Sequence, residues 1–251
     1  MNRRRLALVG VVLVVVTSGC LGAFGGVSQE RLCEEADYDW NKTANATYRV
    51  SDDNTYQAVY EVNNTSSMEL HTRDGLGNDD PLEISSVKFR AEDGTVYDCE
   101  DIDVETTRHE TIVEFPEENG QFAYTAESPP KRFGTQRFVD GSHEVILPPD
   151  REISNPIFGS VQPSGYDVSR PGDQVHIRWD DADGRRISVQ YYLKRDIPLF
   201  FGIVTVAGIA ALAGIAYYYR LVRGLERRRE EAGLDVDVDD DDRRDPPPGM
   251  G

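Results

Sequence analysis

One stretch limits what this chain can fold into more than any other. Ile197 to Tyr219 (IPLFFGIVTVAGIAALAGIAYYY) runs 23 residues without a charged side chain. As a helix rising 1.5 Å per residue it reaches roughly 34 Å, and a bilayer's hydrocarbon core is about 30 Å thick. Asp196 is placed to cap its start, and Pro198 falls in the first turn, where a missing N–H costs nothing. Phe200 and Phe201 stand near one end and Tyr217, Tyr218 and Tyr219 at the other, the positions that amphipathic rings take at membrane interfaces. Residues 197–219 therefore predict a transmembrane helix. Arg220, Arg223, Arg227, Arg228 and Arg229 follow it, and by the positive-inside rule this end is cytoplasmic.

The amino terminus carries a second apolar run. Arg3, Arg4 and Arg5 precede Leu6–Val16, too short to span alone, and Thr17-Ser18-Gly19-Cys20 follows. Residues 1–19 read as a signal peptide whose small residues ahead of Cys20 suit a lipobox, making Cys20 the lipidation candidate. Thr17 stands where a leucine-like residue is usual. An uncleaved signal anchor is the alternative, since Leu6–Val27 is 22 residues without charge. The poorly hydrophobic Ser- and Gly-rich part after Val16 favours lipidation.

Charge separates the remaining classes. The chain holds 45 acidic and 27 basic residues for a net of −18, and residues 20–196 alone account for all of it. Such a surface disfavours nucleic acid as a partner. Lysine is scarce while Asp and Glu abound, which points to an extracellular protein adapted to high salt, where repulsion is screened. In an oxidising compartment Cys33 and Cys99 form an even pair suited to a disulfide, two unrelated buried thiols being the alternative.

Residues 20–46 read as an acidic tether. Four acceptor triplets lie in or just beyond it, giving Asn41, Asn45, Asn63 and Asn64 as glycosylation candidates. From Thr47 the pattern turns to period two, punctuated by turns: 47–51, 56–62, 68–72, 83–90, 95–99, 106–115, 121–126, 143–147, 174–179 and 187–193. Nothing between 47 and 193 keeps helical spacing for three turns. Residues 47–195 predict an all-β ectodomain, an antiparallel sandwich with the immunoglobulin-like type among its options, as one elaborated or two small sandwiches. The Pro-rich region 129–171 is the place for a boundary or a long irregular crossing. Residues 220–251 predict a basic juxtamembrane helix and an acidic disordered tail.

No catalytic, metal or cofactor motif stands out. His71, His109, His143 and His176 lack ligand spacing, and each is expected on a solvated strand face. Asp180-Asp181-Ala182-Asp183-Gly184 fails as a calcium loop, with Trp179 at the first position and Gln190 at the twelfth. Cys20-Leu21-Gly22, Leu32-Cys33-Glu34, Asp37-Tyr38-Asp39-Trp40, Leu147-Pro148-Pro149, Ser154 through Gly159, and Val189-Gln190-Tyr191-Tyr192 running through Arg195-Asp196 together resemble an uncharacterised family of haloarchaeal membrane-anchored lipoproteins. The resemblance implies a compartment and salt adaptation, and no site residues. The expectation is a non-enzymatic scaffold, adaptor or accessory subunit whose partners are the bilayer and other surface proteins. A ligand-binding receptor and an unfamiliar surface hydrolase are the alternatives.

Overall fold

Alternating side chains dictate strands, and the computed structural model, which describes residues 27–182, 184, 186–231 and 233, shows where they pair. In chain order these are β1 (Ala46–Val50), β2 (Thr55–Val62), β3 (Ser67–Arg73), β4 (Asp79–Pro81), β5 (Ile84–Ala91) and β6 (Val96–Tyr97). Next come β7 (Asp103–Thr106), β8 (Thr111–Glu114), β9 (Gly120–Glu127), β10 (Arg132–Gln136), β11 (His143–Ile146) and β12 (Arg151–Glu152). The last are β13 (Ser160–Gln162), β14 (Asp167–Ser169), β15 (His176–Trp179), β16 (Arg186–Gln190) and β17 (Tyr192–Leu193). A short helix, α1 (Gln29–Leu32), precedes them, and a long one, α2 (Asp196–Glu231), follows.

The largest sheet runs β14-β15-β11-β1-β2-β9-β5-β6, eight strands against the seven shared between both sheets of an immunoglobulin constant domain. Its pairings are antiparallel except β1 with β11, which is parallel. Smaller sheets of order β4-β3-β8-β7, β10-β16-β13 and β12-β17 complete the sandwich. One buried cluster joins the large sheet to Leu70, Val113, Phe133, Ile187 and Val189 of the smaller ones. It crosses the Pro-rich region without a break. Phe133 of β10 sits 5.2 Å from Tyr48 and 5.0 Å from Tyr56, ring to ring. The described residues up to Lys194 accordingly form one compact unit, and those from Arg195 a second.

Register explains how bulky rings fit. Tyr48 pairs with Ala58 and Ala58 with Tyr124, while Ala46 pairs with Tyr60 and Tyr60 with Phe122. Alanine between aromatics lets the rings interleave at close to interior packing density. The opposite face of this sheet is covered differently. Tyr38 and Trp40, upstream of β1, lie over Val59 and Ala123, so part of the acidic leader is a strap packed on the sheet. Tyr38 donates its hydroxyl to the Ser86 carbonyl at 2.6 Å and meets Thr125 Oγ1 at 2.9 Å. Ser86 lies in a bulge with φ of 54°, a conformation the Tyr38 contact helps to hold.

The strap's start is fixed covalently. Cys33 and Cys99 form a disulfide closing 66 residues. Ser28 caps α1 by accepting from the Arg31 amide, and Gln29 donates to the Cys99 carbonyl. In the second unit, α2 holds 36 residues, and its side chains from Leu199 to Tyr219 are exposed. Among the described residues it is the one helix long and apolar enough to cross a membrane.

Candidate functional site: a tyrosine cluster beneath a polar cleft

The alternation that builds the core also places chemistry inside it. Tyr48, Tyr56, Tyr60 and Tyr124 are almost wholly buried, and each phenol must therefore find a partner. The Tyr60 and Tyr124 hydroxyls share a 3.1 Å hydrogen bond. Tyr60 also meets the Tyr48 hydroxyl, and Tyr56 is held by Tyr124 and Thr135. Burial pushes Tyr56 up to about 12 and raises the other three further, so all four stay neutral donors.

His143 extends this network. Its ring stacks on Tyr48 at 6.1 Å, with Nδ1 at 3.4 Å from the Tyr48 hydroxyl and Nε2 at 3.2 Å from the Val139 carbonyl oxygen. Desolvation lowers its pKa to about 4, and the imidazole is neutral near pH 7. The solvated face expected for it is wrong. His143 of β11 alternates with Val145 and with Leu147 just beyond the strand, and pairs with Ala46 and Trp179, which commits it to the core side. That spacing was present in the sequence.

An open cleft of about 660 Å³ adjoins the cluster, lined among others by Asn45, Glu61, Glu69, His71, Arg137 and Phe138. Phe138 separates the two regions, edge-on to His71 at 5.6 Å and to Tyr60 at 6.2 Å. The cleft's polar groups are largely spoken for. Arg137 donates to the Ala182 carbonyl and to Asp140 at 3.2 Å, and lies 3.9 Å from Asp181. Asn45 donates to Glu61 at 3.0 Å and accepts from the Ser142 amide and hydroxyl, each at 2.9 Å. A Cβ at Gly141 would come within 2.5 Å of the Asn45 side-chain oxygen, so glycine, with φ of 96°, permits the lock.

Elsewhere charges pair across strands. His176 Nδ1 lies 2.9 Å from Glu144, and His109 Nδ1 3.2 Å from the Asp79 carbonyl oxygen. Asp180 meets Arg178 at 3.3 Å, so acids of the rejected calcium loop face arginines. Among the described residues no group of three or more His, Cys, Asp or Glu could hold a metal ion.

The sequence-predicted sites fall in separate places. Cys33 and Cys99 come together. Asn41 is exposed on the strap, Asn45 is locked in the cleft wall, and Asn63 and Asn64 are exposed where β2 crosses to β3. Cys20 and the signal peptide lie outside the described residues. The tyrosine network and Arg137 were missed. The period-two tyrosines were legible, whereas Arg137 owes its place to Asp181 and Ala182, which are distant in sequence.

An all-β unit joined to a helix long and apolar enough to span a membrane has the layout of a single-pass membrane protein. Residues 42–237 match a family described as "Family of unknown function (DUF5803)", and the chain belongs to that family. No curated protein matches it.

Proposed function

We propose that this chain is a cell-surface lipoprotein of a salt-adapted archaeon, acting without catalysis as a scaffold, adaptor or accessory subunit. Its amino-terminal unit is extracellular, Cys20 carries lipid, and the carboxyl terminus is cytoplasmic. One observation carries the reading: only Lys194 and Arg195 separate the last strand, β17, from α2, whose first 24 residues include the charge-free run. A folded unit joined so directly to a span suits a protein that works on neighbours at the same surface. The disulfide supports an oxidising side for the first unit. The net charge of −18 supports high salt, since molar salt shortens the screening length to about 3 Å. The buried phenols and His143 face packing partners, which supports a structural use for them.

The cleft favours one second reading, a receptor for a small polar ligand. Cross-linking in native membranes followed by mass spectrometry separates the two. A discrete protein partner joined to residues 27–194 supports the adaptor. Absence of partners, with a small molecule raising the ectodomain's melting temperature, overturns it in favour of the receptor.

Location has its own tests. External protease should degrade the first unit and spare an epitope placed after Gly251; loss of the epitope reverses the orientation. Cys20→Ser should abolish a lipid-sized mass. If wild type and variant both start at Met1 without lipid, the anchor assignment fails. Melting temperature should rise with added salt, and a flat response removes the halophilic assignment.

A further inference from the structure

Four Asn-x-Ser/Thr triplets are equal by sequence and unequal in the fold. A glycosyl acceptor needs its asparagine amide and its hydroxyl residue both reachable by the transferring enzyme, on a segment that can enter that enzyme's site. The triplet Asn45-Ala46-Thr47 fails on both counts. The Asn45 amide nitrogen donates to Glu61 at 3.0 Å, and its oxygen accepts twice from Ser142. Thr47 is 1% exposed in the centre of the large sheet.

Asn41-Lys42-Thr43 is exposed at both its asparagine and its threonine, and differs in being pinned by side-chain contacts. The Thr43 hydroxyl accepts from Arg178 at 3.1 Å, and Lys42 is tied to Asp39 at 2.6 Å. The Arg178 contact ties the triplet to β15 of the large sheet, whereas the 63–66 connection has no such side-chain tie to a strand among the described residues.

The connection 63–66 differs. Asn63, Asn64, Thr65 and Ser66 are all exposed, lie outside any strand, and supply two overlapping triplets. Asn64 has φ of 51°, so the chain turns outward here in a conformation asparagine tolerates. The Asn64 backbone N–H donates to Asn119 Oδ1 at 2.9 Å, and the Thr65 hydroxyl donates only within the connection, to the Asn63 carbonyl at 3.1 Å; the Asn64 side-chain amide is unengaged among the described residues.

We infer that the Asn63–Ser66 connection is the chain's N-glycosylation site, taking one glycan on Asn63 or Asn64, and that Asn41 and Asn45 stay unmodified. The inference rests on the extracellular placement proposed above. The donor class is a lipid-phosphate-linked oligosaccharide. The asparagine Nδ2 bonds to the anomeric carbon, the carbon–oxygen bond to the lipid phosphate breaks, and the phosphate leaves with that electron pair. The amide loses one proton and keeps its carbonyl. Two adjacent amides leave room for a single sugar chain. Asn63 also lines the cleft, so a glycan there would screen the mouth above Phe138.

The test is glycopeptide mass spectrometry on the full chain from its own membranes, with cysteine oxidation read from the same sample. Wild type should show one glycan mass on the peptide spanning 63–66 and none on peptides holding Asn41 or Asn45. Thr65→Ala with Ser66→Ala should remove that mass while keeping both asparagines and the Asn64 backbone conformation. Thr65→Ser should restore it. Sugar on Asn45 or Asn41, or a Cys33–Cys99-oxidised chain with no sugar, overturns the inference. Free thiols together with no sugar overturn the extracellular placement and the inference with it.

Discussion

Tyrosine appears in clusters at two places in this molecule, in opposite surroundings. Tyr48, Tyr56, Tyr60 and Tyr124 are at most 2% exposed, whereas Tyr217, Tyr218 and Tyr219 on α2 are 71%, 67% and 55% exposed. The first group lies in a core that supplies every hydroxyl with a protein partner. The second makes one notable contact, the Arg223 guanidinium 4.6 Å over the Tyr219 ring. The β unit carries its own apolar solvent, and α2 needs one from outside. Chemically alike residues are thus structural in one place and interfacial in the other.

Substitution should expose that difference most sharply at Tyr124. Tyr124→Ala removes a buried ring and takes one partner from each of the Tyr60 and Tyr56 hydroxyls, and should cost the first unit about 4 to 5 kcal/mol in denaturant unfolding. Tyr218→Ala should move the same transition by less than about 0.5 kcal/mol. Equal effects would break the comparison.

The disulfide comes next. Cross-linking 66 residues apart should stabilise the first unit by about 4 kcal/mol in the chain-entropy model. Cys33→Ser and Cys99→Ser should each remove a similar amount, and the double variant should be no worse than either alone. Additive losses, or thiols that both react in the unreduced denatured chain, would show two independent cysteines.

His143 gives the comparison a pH axis. Its folded pKa is about 4 against an ordinary 6.5, so the unfolded chain binds the extra proton first. Its contribution is fully present above pH 6.5 and is lost as pH falls toward 4. At about 1.4 kcal/mol per pKa unit the ceiling is about 3 kcal/mol. His143→Leu should flatten the stability profile in that window. The lowered carboxylates of Asp39 and Glu152 act in the same direction only nearer the carboxylate range. An unchanged slope in the variant would show that His143 is not the titrating group.

The smallest effect tests the hydroxyls alone. Tyr60→Phe keeps the ring and removes the Tyr60 hydroxyl's bond to Tyr124, which retains Tyr56, for about 1 kcal/mol. Tyr219→Phe on α2 should leave the first unit's melting curve where it was.

Much of this was legible in the chain, and the exceptions have physical causes. Tyr48, Tyr56, Ala58 and Tyr60 alternate plainly, and β1, β2 and β9 begin within a residue of their expected starts. Residues 106–115 looked like one strand but form the end of β7 and all of β8. Thr107 turns the chain by taking the Glu110 amide on its hydroxyl while its own amide donates to the Glu110 carbonyl. β10, β12, β13 and β14 hide in the Pro-rich region because strands of two to five residues show too little alternation. Their partners decide them: Gly134 of β10 faces Ser188 of β16, a pairing local pattern does not contain. The same holds at the candidate site. The cysteine pair could be read from compartment and parity, but Asn45 was one of four equal triplets until Ser142, 97 residues on, closed over it.

The parallel pairing of β1 with β11 bears on the order of synthesis. A nascent chain ending at Glu127 contains β1, β2, β5 and β9, yet β1 is then an edge strand with its second ladder open. That ladder closes only when His143–Ile146 emerges, and β10 joins β13 only through β16, which ends at Gln190. α2 begins at Asp196, so the apolar segment leaves the ribosome almost together with the strand that finishes the sheet. Maturation of the first unit and delivery of the helix to its membrane are therefore nearly simultaneous events. The β1 edge itself is open only earlier, between the emergence of Glu127 and that of His143–Ile146.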